Sequence, residues 1–407
     1  MNHHPLSAPR VPGAVSASHL LRGIVVLLLC FAAGMSVAAP EGRPRVPLAG
    51  EWRQQWLADG AKPSEEGWGT RGLTLPGVAR FNHHKEATQL VLERDVAVPT
   101  AWGGRRVALC IGHPVFGTAV EVNGREAGEI PGYGGELDIT EWVTAGQTST
   151  IRLRFFRMGK GLACLDAYAR ATIPTAHPTA NAPYMAGVIG LPESFYLESR
   201  PVEAFVSDVW YRTYTRGQQR IEPQITVNVS EAIEGALAEV CLYELEGDVP
   251  VVSNRFALPP LSPGRSEHTV VIPAKDLTLW WPGTPHLYRG QVRLLNADGE
   301  LLDQDEPVSF GIREVWTQGR QYYCNGHAIH FTLDAYYFAT MQEAVNAGVT
   351  VTYGKHGQNG TAMTHDNEKA MMEADRVGMG LMTYGVSIGY GSDNLSSPEV
   401  MAGYRRW

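Results

Sequence analysis

The residues best suited to bind a polar ligand follow short apolar runs near the C-terminus. Asp334 follows "AIHFTL", His356 and Asn359 lie in "KHGQNG" after "VTVTY", and Asn394 lies in "SIGYGSDN" after "GLMTYGV". An imidazole exchanges protons near neutral pH, a carboxylate accepts hydrogen bonds from hydroxyl groups, and side-chain amides both donate to and accept from them. Three other carboxylates, Glu343, Glu368 and Glu373, fall on helical stretches, where solvated surface charge is the ordinary role. The remaining polar clusters are poorer. His83-His84-Lys85 offers too few converging ligands for a metal, and His356 with His365 lacks an acidic partner at ligand spacing. Trp280-Trp281 can stack on a ring, but beside Pro282, Gly283 and Pro285 it fits better as packing at the end of a β-domain. Gly389-Tyr390-Gly391 is too short for a phosphate loop.

The elements that position these residues alternate. "FATMQEAVNAG" places Phe338, Met341 and Val345 on one helical face and ends at Gly348. "DNEKAMMEADRVG" is a second helix, with Asp366 as cap and Gly378 as stop, and "SSPEVMAGY" opens a third behind Ser397 and Pro398. Strand–helix repeats at this spacing imply parallel βαβ units. Three such units cannot close a barrel, which takes about 250 residues. The expectation is an incomplete (β/α)8 TIM barrel over residues 320–407, in a chain cut short.

Everything before this segment reads as β. From residue 46 to 201 short alternating runs such as "LVLERDVAVP" and "TSTIRLRFF" are separated by turns, with Asn123-Gly124 the strongest hairpin signal. That pattern fits an all-β jelly-roll sandwich. Residues 202–314 hold a second set of strands with a hairpin at Asp298-Gly299, of a length that suits an immunoglobulin-like β-sandwich.

The first 38 residues stand apart. Arg10 and Arg22 precede "GIVVLLLCFAAGMSVAA", and the first acidic residue is Glu41. This is the layout of a signal peptide cleaved after Ala38, which predicts export to the periplasm or the exterior and no membrane contact afterwards. Its loss removes two of 34 basic residues and leaves 32 against 42 acidic ones, a net charge of −10. So acidic a chain is unsuited to nucleic acid. Of the four cysteines left, Cys110, Cys164, Cys241 and Cys324, none forms a CxxC pair. Cys110 and Cys164 can pair within one domain, and buried free thiols serve equally well.

Several phrases resemble glycoside hydrolase family 2, which includes β-galactosidases, β-glucuronidases and β-mannosidases. The N-terminal sugar-binding domain of that family is similar to Arg94–Pro99, Trp102–Leu109, the "VNGREAG" hairpin over Val122–Gly128, and Asp138-Ile139-Thr140. Its later segments look like "LWWPGTPHLYRGQVRL" over Leu279–Leu294, "SFGIREV" over Ser309–Val315, and "CNGHAIHF" leading into the barrel. The resemblance covers the chain from about Leu48 onward. It implies hydrolysis of β-linked glycosides with retention, by two glutamates about 5 Å apart. In the family these stand near strands 4 and 7, so on this resemblance they lie beyond Trp407. It also implies a carbohydrate substrate, no dissociable cofactor, no metal, and a homo-oligomer of the full-length parent. Asp334, His356, Asn359 and Asn394 become sugar-binding candidates. His356 matches a family histidine that can bind a sugar hydroxyl or orient a catalytic carboxylate, whereas "TLDAYYF" departs from the family's usual residues after strand 1 and weakens Asp334. The competing readings are a non-catalytic carbohydrate-binding β-sandwich protein and a structural or adhesive protein using β-sandwiches as spacers. Neither requires a βα segment after Phe310.

Overall fold

The computed structural model describes residues 43–58, 60–69, 72–80, 84, 86–112, 118–130, 134–156, 188–191, 195–334, 340–352 and 367–381. The expected signal peptide with its cleavage site, and Cys164, lie outside these residues. Among the described residues no helix is long and apolar enough to cross a membrane.

The first region holds β1 (Arg45–Pro47), β2 (Gly50–Leu57), β3 (Leu73–Leu75), β4 (Gly77–Arg80), β5 (Gln89–Ala97), β6 (Arg106–Ile111), β7 (Thr118–Val122), β8 (Arg125–Ile130), β9 (Gly135–Asp138), β10 (Thr148–Phe156), β11 (Val188–Leu191) and β12 (Phe195–Arg200). One sheet runs β1-β12-β6-β9 and another β3-β2-β5-β10-β7-β8, with β11 and β4 as a separate pair. The two larger sheets share one apolar cluster: Leu109, Phe195 and Leu197 come from the first, and Trp52, Leu92, Val120, Leu153 and Phe155 from the second. Along β10 the period-two pattern buries Ile151, Leu153 and Phe155 and leaves Arg152 and Arg154 half-buried. Asn123 and Gly124 both take positive φ, 51° and 75°, the geometry of a two-residue hairpin turn.

The second region holds β13 (Ala204–Tyr214), β14 (Arg220–Val229), β15 (Leu237–Glu244), β16 (Pro250–Ala257), β17 (Gly264–Thr269), β18 (Ile272–Pro273), β19 (Tyr288–Leu295), β20 (Leu301–Gln304) and β21 (Val308–Phe310). Its sheets run β13-β14-β17, with β18 also on β14, and β16-β15-β19-β20, with β21 also on β19. Val206, Ile225 and Val227 meet Val240, Leu242, Val292 and Leu294 in a core separate from the first. The hairpin read at Asp298-Gly299 joins β19 to β20, closed by the Leu295–Leu301 pair. The Asn296 side chain accepts from the Asp298 and Glu300 amides at 3.0 and 2.8 Å, Gly299 alone takes positive φ (83°), and the register shifts at Leu294/Leu295. An Asx-type bond of this kind holds the turn.

A three-stranded meander follows, β22 (Val315–Gln318), β23 (Gln321–Cys324) and β24 (His327–Ile329), turning at Asn325-Gly326 with φ of 49° and 89°. Then come β25 (Leu333–Asp334), α1 (Met341–Asn346), β26 (Val351–Thr352), α2 (Asn367–Val377) and β27 (Gly380–Leu381), with the three strands parallel. The reading of "AIHFTL" as one strand is corrected here. His327–Ile329 pairs backwards onto the meander, because Asn325-Gly326 forms a hairpin turn, and the first parallel strand begins only at Leu333. The third helix expected at "SSPEVMAGY" and the Asp366 cap lie outside the described residues.

Cys110, Cys241 and Cys324 are free thiols. Burial pushes the Cys110 thiol up to about 12, so it stays protonated at neutral pH.

Candidate functional site

The parallel strands place three residues side by side at their C-terminal ends: Asp334 pairs with Thr352, and Thr352 with Leu381. In open α/β layers the segments leaving such an edge line a ligand crevice. Thr352 and Val351 are buried. Backbone bonds lock the register: Val351 N–H to Thr332 O at 3.1 Å, and Gly380 N–H to Thr350 O at 2.7 Å. Met341 and Ala344 of α1, Ala374 and Val377 of α2, and Val349 and Met379 from the segments that lead into β26 and β27 form one buried cluster. Thr340 caps α1 by accepting from the Glu343 amide at 3.2 Å, and Gly348 (φ 86°) stops it, as its sequence position indicated.

Of the sequence candidates, Asp334 therefore stands at the expected edge. His356, four residues beyond Thr352, Asn359, and Asn394 beyond Leu381 lie outside the described residues. Glu343 belongs to the first turn of α1 and Glu373 to α2, where it binds Arg376 through two 2.9 Å contacts. Glu368 is also in α2. These are helix residues and do not stand at the strand-end row. Among the described residues no cluster of three or more His, Cys, Asp or Glu could hold a metal. His84 stacks on Trp56, with centroids 4.0 Å apart, beside an open hollow of about 430 Å³ in the first region.

What aims the strand-end row is a joint that sequence reasoning only half saw. Trp280 is buried and donates its indole N–H to Asp375 O in α2 at 2.8 Å. Arg313 lies over the same ring at 4.3 Å and reaches the Asp375 carboxylate at 2.6 Å. Gly283 N–H bonds Gly378 O at 2.9 Å, at the turn that ends α2. Asn325 completes the joint: its amide donates to Trp280 O at 2.9 Å, and its side-chain oxygen accepts from Glu314 N–H at 2.9 Å. Burial pushes the Glu314 carboxyl up, but the amides of Arg216 and Thr215 and the Arg216 guanidinium outweigh it and leave it below the usual carboxylate range. Trp280 thus has the packing role its prolines and glycine suggested, with the packing extended to the helical segment. Trp281 meets His327 edge-on at 5.4 Å.

This geometry is a β-domain carrying a parallel βα layer on a defined joint. Residues 204–313, the second region from β13 to Arg313 of the joint, match the model of the Glycosyl hydrolases family 2. The second β-region is therefore similar to a domain of that family. Solved structures extend the likeness of fold to most of the chain. A β-glucuronidase of Bifidobacterium dentium, complexed with coumarin-3-O-glucuronide, aligns at 19% identity with a TM-score of 0.67, covering 90% of this chain and 65% of its own. A putative β-galactosidase of Bacteroides fragilis aligns at 16% with a TM-score of 0.64, covering 84% and 53%. A β-D-mannosidase of Dictyoglomus thermophilum aligns at 18% with a TM-score of 0.60, covering 83% and 47%. The chain thus spans between about half and two thirds of these structures' lengths. No curated protein sequence matches it.

Proposed function

We propose that this protein serves the hydrolysis of β-linked glycosides, with the second β-region and the region before it supporting a sugar site on the βα layer. The observation that carries this reading is the parallel row Asp334–Thr352–Leu381, held by the second β-region through the Trp280 joint. In this reading the first region is a jelly-roll sugar-binding domain, the second an immunoglobulin-like sandwich, and the βα layer the first three units of an incomplete (β/α)8 barrel. Barrel sites form at the C-terminal ends of strands. In this reading His356, Asn359 and Asn394, which follow β26 and β27 in the sequence, would bind sugar hydroxyls with Asp334. The reaction would be a retaining displacement by two carboxylates about 5 Å apart, one the nucleophile and the other the acid/base. Glu343, Glu368 and Glu373 do not supply that pair, since they belong to α1 and α2. An exported location, after cleavage behind Ala38, belongs to the same proposal.

Two measurements test it. The 407-residue chain, assayed on aryl β-glucuronide, β-galactoside and β-mannoside, is expected to release no aglycone. Turnover abolished by a single substitution at Glu343, Glu368 or Glu373 would overturn the placement of the chemistry elsewhere. Monosaccharide binding followed by calorimetry is expected to weaken about tenfold in His356→Ala, and unchanged binding removes His356 from the site. Sequencing the coding DNA past the Trp407 codon separates the two main readings. A continuing frame with an Asn-Glu pair supports the two-glutamate mechanism, and a stop codon favours a non-catalytic carbohydrate-binding protein.

A further inference from the structure

We infer that the outer face of the sheet β13-β14-β17 is a second carbohydrate surface, centred on Trp210, that takes a neutral pyranosyl chain independently of the strand-end site. Trp210 is 61% exposed, in a strand where Val209 and Tyr211 on either side of it are buried. An indole is the largest apolar side chain, and leaving one in water on a regular strand forgoes a large burial gain. The sheet provides its surroundings. Trp210 pairs with Gln224, and Gln224 with Thr269, so an amide and a hydroxyl residue extend across the face from the ring. Gln224 donates its amide to Glu267 at 2.9 Å. Asp208, exposed, precedes Trp210 on the same face of the strand.

The next rows continue the pattern. Arg212 lies over Trp210, 5.6 Å from the ring centroid, and contacts Glu222 at 3.7 Å. Tyr214 pairs with Arg220, whose guanidinium sits 4.1 Å from the phenol centroid and 2.7 Å from Glu222. Trp210 and Tyr214 are four residues apart on one strand, about 13 Å at the usual rise. A short oligosaccharide spans that distance. The face is thus two aromatic rings set in a field of carboxylates, guanidinium groups and an amide.

This chemistry suits a sugar better than a protein. A pyranose has an apolar C–H face that stacks on an aromatic ring and a rim of hydroxyls that need donors and acceptors close by. A stable protein interface needs about 800 Å² per partner with a largely uncharged centre. Here an ion pair, Arg212 with Glu222, occupies the space between the two rings. Charge selects the sugar class. Asp208, Glu222 and Glu267 balance Arg212, Arg220 and Arg265 on the same face, so a neutral chain is favoured over a polyanionic one.

Native electrophoresis of the whole protein through gels containing a neutral β-glucan, galactan or mannan tests this. Retardation is expected in at least one gel. Trp210→Ala should weaken it on the order of tenfold, the effect of losing one stacked ring, and Tyr214→Ala by a smaller factor, with melting temperatures unchanged because both rings lie on the outer face. Three results overturn the inference: no retardation in any gel, retardation unchanged in Trp210→Ala, or concentration-dependent self-association that Trp210→Ala abolishes, which would make the face an interface between copies. The outcome does not depend on hydrolysis, and failure here leaves the strand-end reading standing.

Discussion

The second β-region is joined to its two neighbours by ion pairs of different burial. Towards the first region the joint is ionic and buried. Arg43, ahead of β1, reaches across to Asp303 at 2.5 Å, Glu198 at 3.1 Å and the Val206 carbonyl, with its side chain 7% exposed. Arg200 adds a second cation on Glu198 at 2.8 Å and reaches Glu136 at 2.5 Å, while Val206 N–H also binds Asp303 at 2.9 Å. Towards the βα layer the joint is one indole with its hydrogen bond, a single half-exposed ion pair between Arg313 and Asp375, and two close glycines. Buried charge gives a joint that holds only when every partner is present, because one missing partner strands another in low dielectric. Single hydrogen bonds can be lost one at a time. The first joint ties two large β-regions together through buried charge, and the second sets the direction of a small layer whose core, among the described residues, holds six buried side chains.

The largest expected effect therefore falls on the ionic joint. Arg43→Ala leaves Asp303 and Glu198, both nearly inaccessible, short of a cation. Breaking one partner of a buried pair costs about 3–5 kcal/mol, to be read as a lowered denaturation midpoint. The double variant Arg43→Met with Asp303→Asn should recover much of it, since apolar and neutral replacements remove the stranded charge as well. Equal losses in single and double variants would show that packing, and not charge, holds this joint.

At the other joint, Gly378→Ala should cost about 1–3 kcal/mol, from a residue forced to φ +78°. Its added Cβ would stand 2.7 Å from the Gly283 backbone nitrogen. The loss should be local: hydrogen exchange should quicken in β25–β27 and α2 while the two β-regions keep their protection. Faster exchange in the first region would mean that the joints are coupled.

The contrast also explains what could be read beforehand. The hairpin at Asn123-Gly124, the stop at Gly348 and the parallel repeat after Leu333 are legible because each depends on residues within a few positions. Arg43 and Asp303 are 260 residues apart, and no local pattern links them. The one hint was the acid-rich run Asp303-Gln304-Asp305-Glu306 beside a buried strand, matched by Arg43 and Arg45 near the start of β1. The sugar-site candidates were legible only as positions after apolar runs. That logic placed Asp334 at the strand-end row and could say nothing of side-chain contacts. Trp210 passed unnoticed because an aromatic residue in a β-strand is ordinarily core, and only its parity between buried Val209 and Tyr211 sets it outside.

A third test sharpens the electrostatic half of the comparison. Asp305 lies beside the ionic joint but has no cation of its own. One carboxyl oxygen accepts from Val292 N–H at 2.7 Å, and the other has no hydrogen-bond partner among the described residues. Burial pushes this carboxyl well above the usual carboxylate range, despite the Val292 amide and Arg43. The folded state thus holds a proton that the unfolded chain releases, so stability falls as pH rises from the ordinary carboxylate pKa towards the raised one. Asp305→Asn should remove that slope. The variant should match the parent near pH 4 and exceed it at pH 7 by about 1–2 kcal/mol, the scale of an unsatisfied buried group. A parent melting temperature that rises between those values while the variant's stays flat would reverse the sign and show Asp305 to be ionised in the fold.

The smallest effect belongs to Trp280→Phe. The substitution keeps an aromatic ring for Arg313 to lie over and for Gly311 to approach, where a Cβ on that glycine would already meet Trp280 at 2.7 Å. It removes the indole N–H, and with it the direct bond to Asp375 O. A single neutral hydrogen bond is worth about 1 kcal/mol net, and the Arg313–Asp375 contact remains to hold α2. Global unfolding should barely change, whereas exchange at the C-terminal turn of α2 should quicken about fivefold. Adding Arg313→Met should cost more than the two single changes together, because Asp375 then loses both its backbone and its side-chain anchor on the second β-region. If the two changes merely add, Trp280 and Arg313 hold α2 independently. The joint would then be a set of separate contacts and not the single device that the shared ring and the shared aspartate describe.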